Sequence, residues 1–435
     1  MKRKTIAVCV TGYDEQNEMM IIKGALDRCK QLGFDLLTGI DELMSLRTQF
    51  VHLYVNDLTD GEDTGFEDYG LYTQVEQLNK TALKNHGLDK TGQLYKINFF
   101  EFYRYEDVIK LSTDSSYDKD EFEKYLEIKG SEDHTKLIAM LEDLNDEGIP
   151  IESVIEKYFD MENLTYWMAF NILIGNADSQ SRNAYLYSPQ NLDTWYFLCW
   201  DIDACFKKDE YDLLGWSDAD SWERGVSNYW GNVLFKRCLK SDVFRQELDK
   251  AVIDLKEYMS AERLGEMVTK YRAIVEPYIY GDADITYASF TEDQYGNIAD
   301  SLPGLVDYYY QNYLDSLERP LPFFIGTPSV SGGKMNYSWE NSYDFDTEDI
   351  TYKAVVSTDL EGFDVVAEYE GYWNSFTGDK LEPGIYFMKV TATNESGFTQ
   401  EAFDYYYSSD VGKYYGIICF YVNLDGTITL YDTEG

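Results

Sequence analysis

The spacing of apolar residues changes abruptly at Glu318-Arg-Pro-Leu-Pro322, and no single layered core accommodates both halves. Upstream, apolar positions recur at helical intervals through residues 151–174, 243–259 and 264–278. Downstream, Ile350–Val356, Gly384–Thr393 and Gly416–Val422 alternate, and Asn423-Leu-Asp-Gly426 reads as a hairpin turn. Two nearly adjacent prolines end the last helix and mark a linker. The chain therefore reads as an α+β region followed by an all-β domain. Its length of 435 residues is that of about three domains.

The formal net charge is −42, from 79 acidic and 37 basic residues. Such a field repels a phosphate backbone, and no Lys/Arg-rich stripe in the sequence interrupts it, so nucleic acid and anionic membranes are excluded as expected partners. Divalent cations and cationic or neutral substrates fit better. Most of the excess acid reads as solvated surface. The six cysteines, at 9, 29, 199, 205, 238 and 419, show no C-x-x-C spacing and no zinc-knuckle histidine. No run of 18 apolar residues predicts a transmembrane segment. The apolar stretch after Met1-Lys-Arg-Lys is too short for a signal peptide and reads as a buried strand over 5–10.

Residues 1–40 read as a βαβ-like opening, with a helix from Asn17 to Leu32 capped by Gly33 and a second strand at Phe34–Leu37. Val51–Val55 and Tyr69–Val75 read as paired strands around an acidic loop, and Gly92–Lys96 as another strand. Residues 106–148 read as mainly helical. In the tail, Leu381-Glu-Pro-Gly-Ile-Tyr386 suits a tyrosine corner, as in a fibronectin type III-like sandwich.

The segment carrying chemistry runs from Asp178 to Asp201. Buried helices lead into a loop bearing Asp178 and Asn183, five residues apart. Two strands follow, and the second ends at Asp201. A hairpin brings its ends together, so Asn183 and Asp201 are expected at one mouth with Asp178 on the entering loop. Two carboxylates and an amide oxygen make a hard donor set suited to Mg²⁺ or Mn²⁺. Phosphoryl transfer needs a metal to neutralise phosphate oxygens and a carboxylate to position the attacking hydroxyl. Protein kinases place these groups as Asp-x-x-x-x-Asn, a hairpin, and a metal-binding Asp. By role, Asp178 is the base and Asn183 and Asp201 are metal ligands, with Asp203 a further candidate. The competing reading makes Asp178 and Asn183 turn-formers and Asp201 a cap.

Asn171–Tyr187, with Trp195 and Trp200-Asp-Ile-Asp203, resembles the signature of the spore coat protein H (CotH) kinase family. Val51–Asn56, Tyr69–Glu76 and Leu94–Lys96 resemble its upstream strands, and Asn232–Phe235 and Phe244-Arg245 its later helices, across residues 45–315. The resemblance implies an atypical, two-lobed protein-kinase-like fold. A partial N-lobe would occupy residues 41–150, a helical C-lobe with the catalytic loop 151–319, and the β-sandwich 323–435. It implies that ATP and a divalent metal serve to phosphorylate Ser or Thr of a protein substrate, in a spore-coat or cell-surface setting. Lys96 and Glu76 are placed by position at the nucleotide.

Three departures stand out. Gln180 occupies a position where the family often has His, the loop at 56–68 is long and acidic, and residues 1–40 lack the expected strands with a phosphate-contacting Lys. An impaired kinase-like scaffold acting through its β-sandwich is the alternative. Carboxylate-based hydrolysis by Asp178 and Asp201 is a third possibility that leaves Asn183 without a role. Gly332-Gly-Lys-Met335 lacks the rest of a P-loop, and Asp344–Asp349 reads as an inter-strand turn rather than a calcium loop.

Overall fold

A computed structural model describes residues 5–10, 21–23, 32, 36–58, 65–215, 222–408 and 412–431; for 5–10 and 21–23 it describes the backbone only. Two compact units are present, one holding residues 1–209 and 231–310, the other 210–230 and 311–435. The linker at Arg319–Pro322 thus falls inside the second unit.

The first unit contains two four-stranded sheets. One has the order β1-β3-β4-β2, from Thr5–Val10 (β1), Ile21–Lys23 (β2), Thr48–Asp57 (β3) and Glu67–Val75 (β4). The expected pairing of β3 with β4 is present and antiparallel, with His52 opposite Leu71. The opening differs from the expected βαβ unit. Strand β1 pairs in parallel with β3, Thr5 opposite His52. Ile21–Lys23, expected inside a helix, is instead a strand on the edge of β4, where a free ladder and β-branched Ile21 and Ile22 outweigh the helical spacing. Leu36 and Leu37, expected in a strand, are helical. Leu32 and Leu36 are both buried. The rest of the expected helix, residues 17–20 and 24–31, lies outside the described residues.

The second sheet has the order β6-β5-β7-β8, from Gln93–Ile97 (β5), Leu126–Ile128 (β6), Ala184–Ser188 (β7) and Tyr196–Cys199 (β8). Strand β7 is buried along its whole length, which explains why it reads as continuously apolar and aromatic rather than alternating. The short β6 interrupts the region expected to be helical. Helices α1 (Ile151–Tyr158) and α2 (Met161–Leu173) precede the hairpin. They are separate because Asp160 caps α2, accepting from the Asn163 amide at 2.9 Å. Buried Asn163 then clamps β8, donating to the Phe197 carbonyl at 3.1 Å and accepting from its amide at 2.8 Å. Trp167, Phe197 and Phe235 pack together, with ring centroids 4.7 to 5.8 Å apart, and each such ring buried contributes about 1.5–3 kcal/mol. Helices α3 (Val233–Lys240), α4 (Asp242–Tyr258) and α5 (Ala261–Ile279) complete the expected helical region.

In the second unit, a six-stranded antiparallel sheet is built around Thr351–Ser357, Gly384–Thr393 and Ile417–Val422, and a three-stranded sheet accompanies it. Both contribute to one core around Trp339, Tyr352, Met388 and Phe420. The Tyr386 hydroxyl donates to the Glu382 carbonyl at 2.9 Å, closing the expected tyrosine corner. Asp344 is buried and accepts from the Asp346 and Glu348 amides, so its run is an inter-strand turn. The α+β class with an all-β C-terminal domain is the fold of this chain.

Candidate active site

Helix α2 ends at Leu173, and Gly175 turns the chain with φ +66°. A Cβ there would lie 2.2 Å from the Tyr309 ring, so only glycine fits both the backbone and the space. Two asparagines fasten the loop to the helix. The Asn176 side chain donates to Asn171 Oδ1 at 2.8 Å, and Asn171 donates to the Trp167 carbonyl at 2.8 Å. Asn176 Oδ1 is buried with no hydrogen-bond partner among the described residues. Both lie in the Asn171–Tyr187 run that resembles the family signature, where the sequence alone assigns them no role.

Asp178 lies in a single helical turn, Ala177–Ser179, half-buried. Its carboxylate is paired with the Arg182 guanidinium one turn on. Arg182 in turn lies over the Phe99 ring, 5.3 Å from its centroid. The segment after β5 is fixed to the loop from below, since the Phe100 amide donates to the Ser181 carbonyl at 2.7 Å. Asn232, at the start of α3, donates to the Gln180 carbonyl at 2.8 Å.

The hairpin register sets Ala184 opposite Cys199. One residue further out, Asn183 falls opposite Trp200, with Asp201 next to it, so both leave the same end of the ribbon. Both have left-handed backbones, φ +58° for Asn183 and +49° for Asp201. That conformation is uncommon outside glycine, is best tolerated by Asn and Asp, and concentrates at functional sites. Asp203 is exposed, in the helical turn Ile202–Ala204.

Lys96 and Glu76 fare differently. On β5, Lys96 is opposite Tyr185 of β7, which places it on the sheet face two residues from Asn183. Glu76 follows β4 in the other sheet. It accepts from His86 at 2.7 Å, the Arg47 amide at 3.3 Å and Asn85 at 3.4 Å. Burial works to raise the Glu76 carboxyl pKa, but these hydrogen bonds prevail and hold it below the usual range. Among the described residues, the contacts of Glu76 are to Arg47, Asn85 and His86.

Among the described residues no group of three or more His, Cys, Asp or Glu side chains is assembled for a metal. The backbone brings Asn183, Asp201 and Asp203 to one end of the hairpin, so one amide and two carboxylates are the oxygen donors the sequence puts there. That chemistry fits a Mg²⁺-type ion, which takes one or two carboxylates and completes its shell with water and phosphate. No helix of the described residues is long and apolar enough to cross a membrane.

The family model of CotH kinase proteins matches residues 30–313, well over half of the chain. No curated protein matches it. The matched span takes in the loop at 175–183, the hairpin and Asp201 together. The chain belongs to the CotH kinase protein family.

Proposed function

We propose that this chain is an ATP- and divalent-metal-dependent protein kinase, transferring the γ-phosphoryl group to Ser or Thr hydroxyls of a surface or spore-coat protein. The hairpin register carries this reading, because it sets Asn183 and Asp201 at one mouth beside the loop that bears Asp178. Asn183 and Asp201 would hold the metal, with Asp203 adjacent. Bound there, the ion would neutralise charge on the phosphate oxygens. Asp178 orients the acceptor hydroxyl and takes its proton as the oxygen bonds to the γ-phosphorus and the bond to the leaving ADP oxygen breaks. Arg182, paired with Asp178 and held over Phe99, offers a fixed positive charge beside the proposed base. Lys96 shares the sheet face leading to Asn183 and is placed to contact nucleotide phosphate. Glu76, accepting from His86, is the acidic candidate for the nucleotide site.

Purified protein with ATP and Mg²⁺ or Mn²⁺ should phosphorylate a protein acceptor. Asp178→Ala and Asp201→Ala should each abolish transfer. Activity surviving both changes would remove the assigned roles. The departure of residues 1–40 from the family's opening strands favours a second reading, a kinase-like scaffold acting through its β-sandwich. Nucleotide bound without turnover would decide for it.

A further inference from the structure

At the far end of the β5–β7 pair from Asn183, a cleft of about 620 Å³ is lined by Lys80, Lys84, Lys90, Thr81, Thr91 and Ser131. Its place follows from register: Gln93 is opposite Ser188, so residues 90–92 sit at the closed end of the hairpin. Strand β7 separates this end from the mouth by five residues, roughly 17 Å at the rise of a strand.

The cleft is an exception to the chain's charge. None of its lining residues is acidic, in a protein with 79 acidic residues. Two neighbouring carboxylates stay anionic, each held by donors beside the cleft. Asp89 accepts from the Thr91 and Gln190 amides at 2.9 Å, and Glu132 pairs with Lys119 at 2.9 Å. None of the three lysines makes an ion pair among the described residues. Lys80 and Lys84 stand at i and i+4 on the helix Lys80–Asn85, which has no acidic residue in its first turn. Like charges so placed disfavour a helix, and a bound anion would relieve that cost.

We infer that this cleft is a docking site for a phosphorylated protein segment, recognised through its phosphoserine dianion. The inference rests on the phosphotransfer reading for the source of that ligand. Phosphotransfer to protein hydroxyls produces this group beside the site. At physiological salt, charge is screened beyond about 8 Å, so a short phosphopeptide experiences the three lysines rather than the whole acidic surface. A long polyanion does not have that advantage. The cleft is larger than a free phosphate requires, and the Thr81 and Ser131 hydroxyls suit the peptide flanking the phosphoserine.

Calorimetry with the peptide Gly-Gly-phosphoSer-Gly-Gly, its unphosphorylated form and inorganic phosphate tests this. The full chain should bind the phosphopeptide at least about tenfold tighter than either control. The triple variant Lys80→Gln/Lys84→Gln/Lys90→Gln should lose that preference while melting like the wild type, because all three side chains are exposed. Asp178→Ala should bind as the wild type does. Equal affinity for the two peptides, undiminished binding in the triple variant, or equally tight inorganic phosphate would each overturn the docking site. Lysine-dependent phosphopeptide binding in a protein that transfers no phosphate would strike the kinase reading alone. Phosphotransfer without such binding would strike the docking site alone.

Discussion

Asn183 has two competing explanations, a metal ligand or a residue chosen for its backbone, and glycine separates them. At φ +58° a residue with a Cβ costs roughly 1–2 kcal/mol relative to glycine, with asparagine penalised less than most. Asn183→Ala should therefore destabilise the first unit by about 1 kcal/mol, from backbone strain. Asn183→Gly removes the same amide oxygen without that strain and should unfold close to wild type. If the amide holds the metal, both variants should lose turnover by about 100-fold or more, the scale seen when one preorganised electrostatic contact is deleted. Urea unfolding followed by tryptophan fluorescence reads the stability, with the two units fitted as separate transitions. Initial rates of phosphate transfer read the chemistry. Wild-type turnover in Asn183→Gly would refute the ligand role and leave Asn183 as a turn-former.

Arg182→Ala should cost no more than about 0.5 kcal/mol of stability, because its pair with Asp178 is exposed to solvent, yet reduce kcat by about 100-fold; an activity loss that merely tracks unfolding would contradict this. His134 is buried between the Tyr95 and Tyr117 hydroxyls, at 2.8 and 3.2 Å, and burial lowers its pKa from 6.5 to about 4. The unfolded chain takes up a proton that the folded one refuses, so first-unit stability should be complete above pH 6.5 and fall by up to about 3 kcal/mol as pH drops to 4. His134→Asn should flatten that dependence in pH-resolved melts, and an unchanged slope would refute it. Asp404 has the opposite sign. Burial raises its carboxyl from 3.8 to about 6, so its favourable contribution is complete at low pH and lost as pH rises through 6. Asp404→Asn keeps an acceptor for the Ile325 amide, now at 2.7 Å, and should raise the second unit's melting temperature at pH 7.5; a lower one would contradict this.

Local chemistry made much of this molecule legible. The two-proline break, the buried helices before residue 175, the hairpin arms and the tyrosine corner all depend on residues close together in sequence. Ile21–Lys23 escaped because its conformation is decided by a partner, β4, fifty residues away. Leu126–Ile128 is too short to show alternation and exists as a strand by adding to β5. At the site, Asp178, Asn183 and Asp201 could be named because one loop and one hairpin connect them. The pair between Asp178 and Arg182 was missed although it spans a single turn, and Phe99 beneath Arg182 comes from a distant loop with no sequence signal. The lysine cleft was hidden by averaging. Lys80, Lys84 and Lys90 are scattered among acidic residues in the chain, and only the fold of the helix against the β5 end collects them.

The position of the metal decides whether Asn183 and Asp201 are its ligands. Diffraction at the manganese edge from crystals of the protein grown with Mn²⁺ and a non-hydrolysable ATP analogue locates the ion directly. The predicted result is an anomalous peak within bonding distance of the Asn183 and Asp201 side-chain oxygens, with the γ-phosphate facing Asp178. A manganese ion bound elsewhere, with that hairpin mouth filled by ordered water alone, would contradict it.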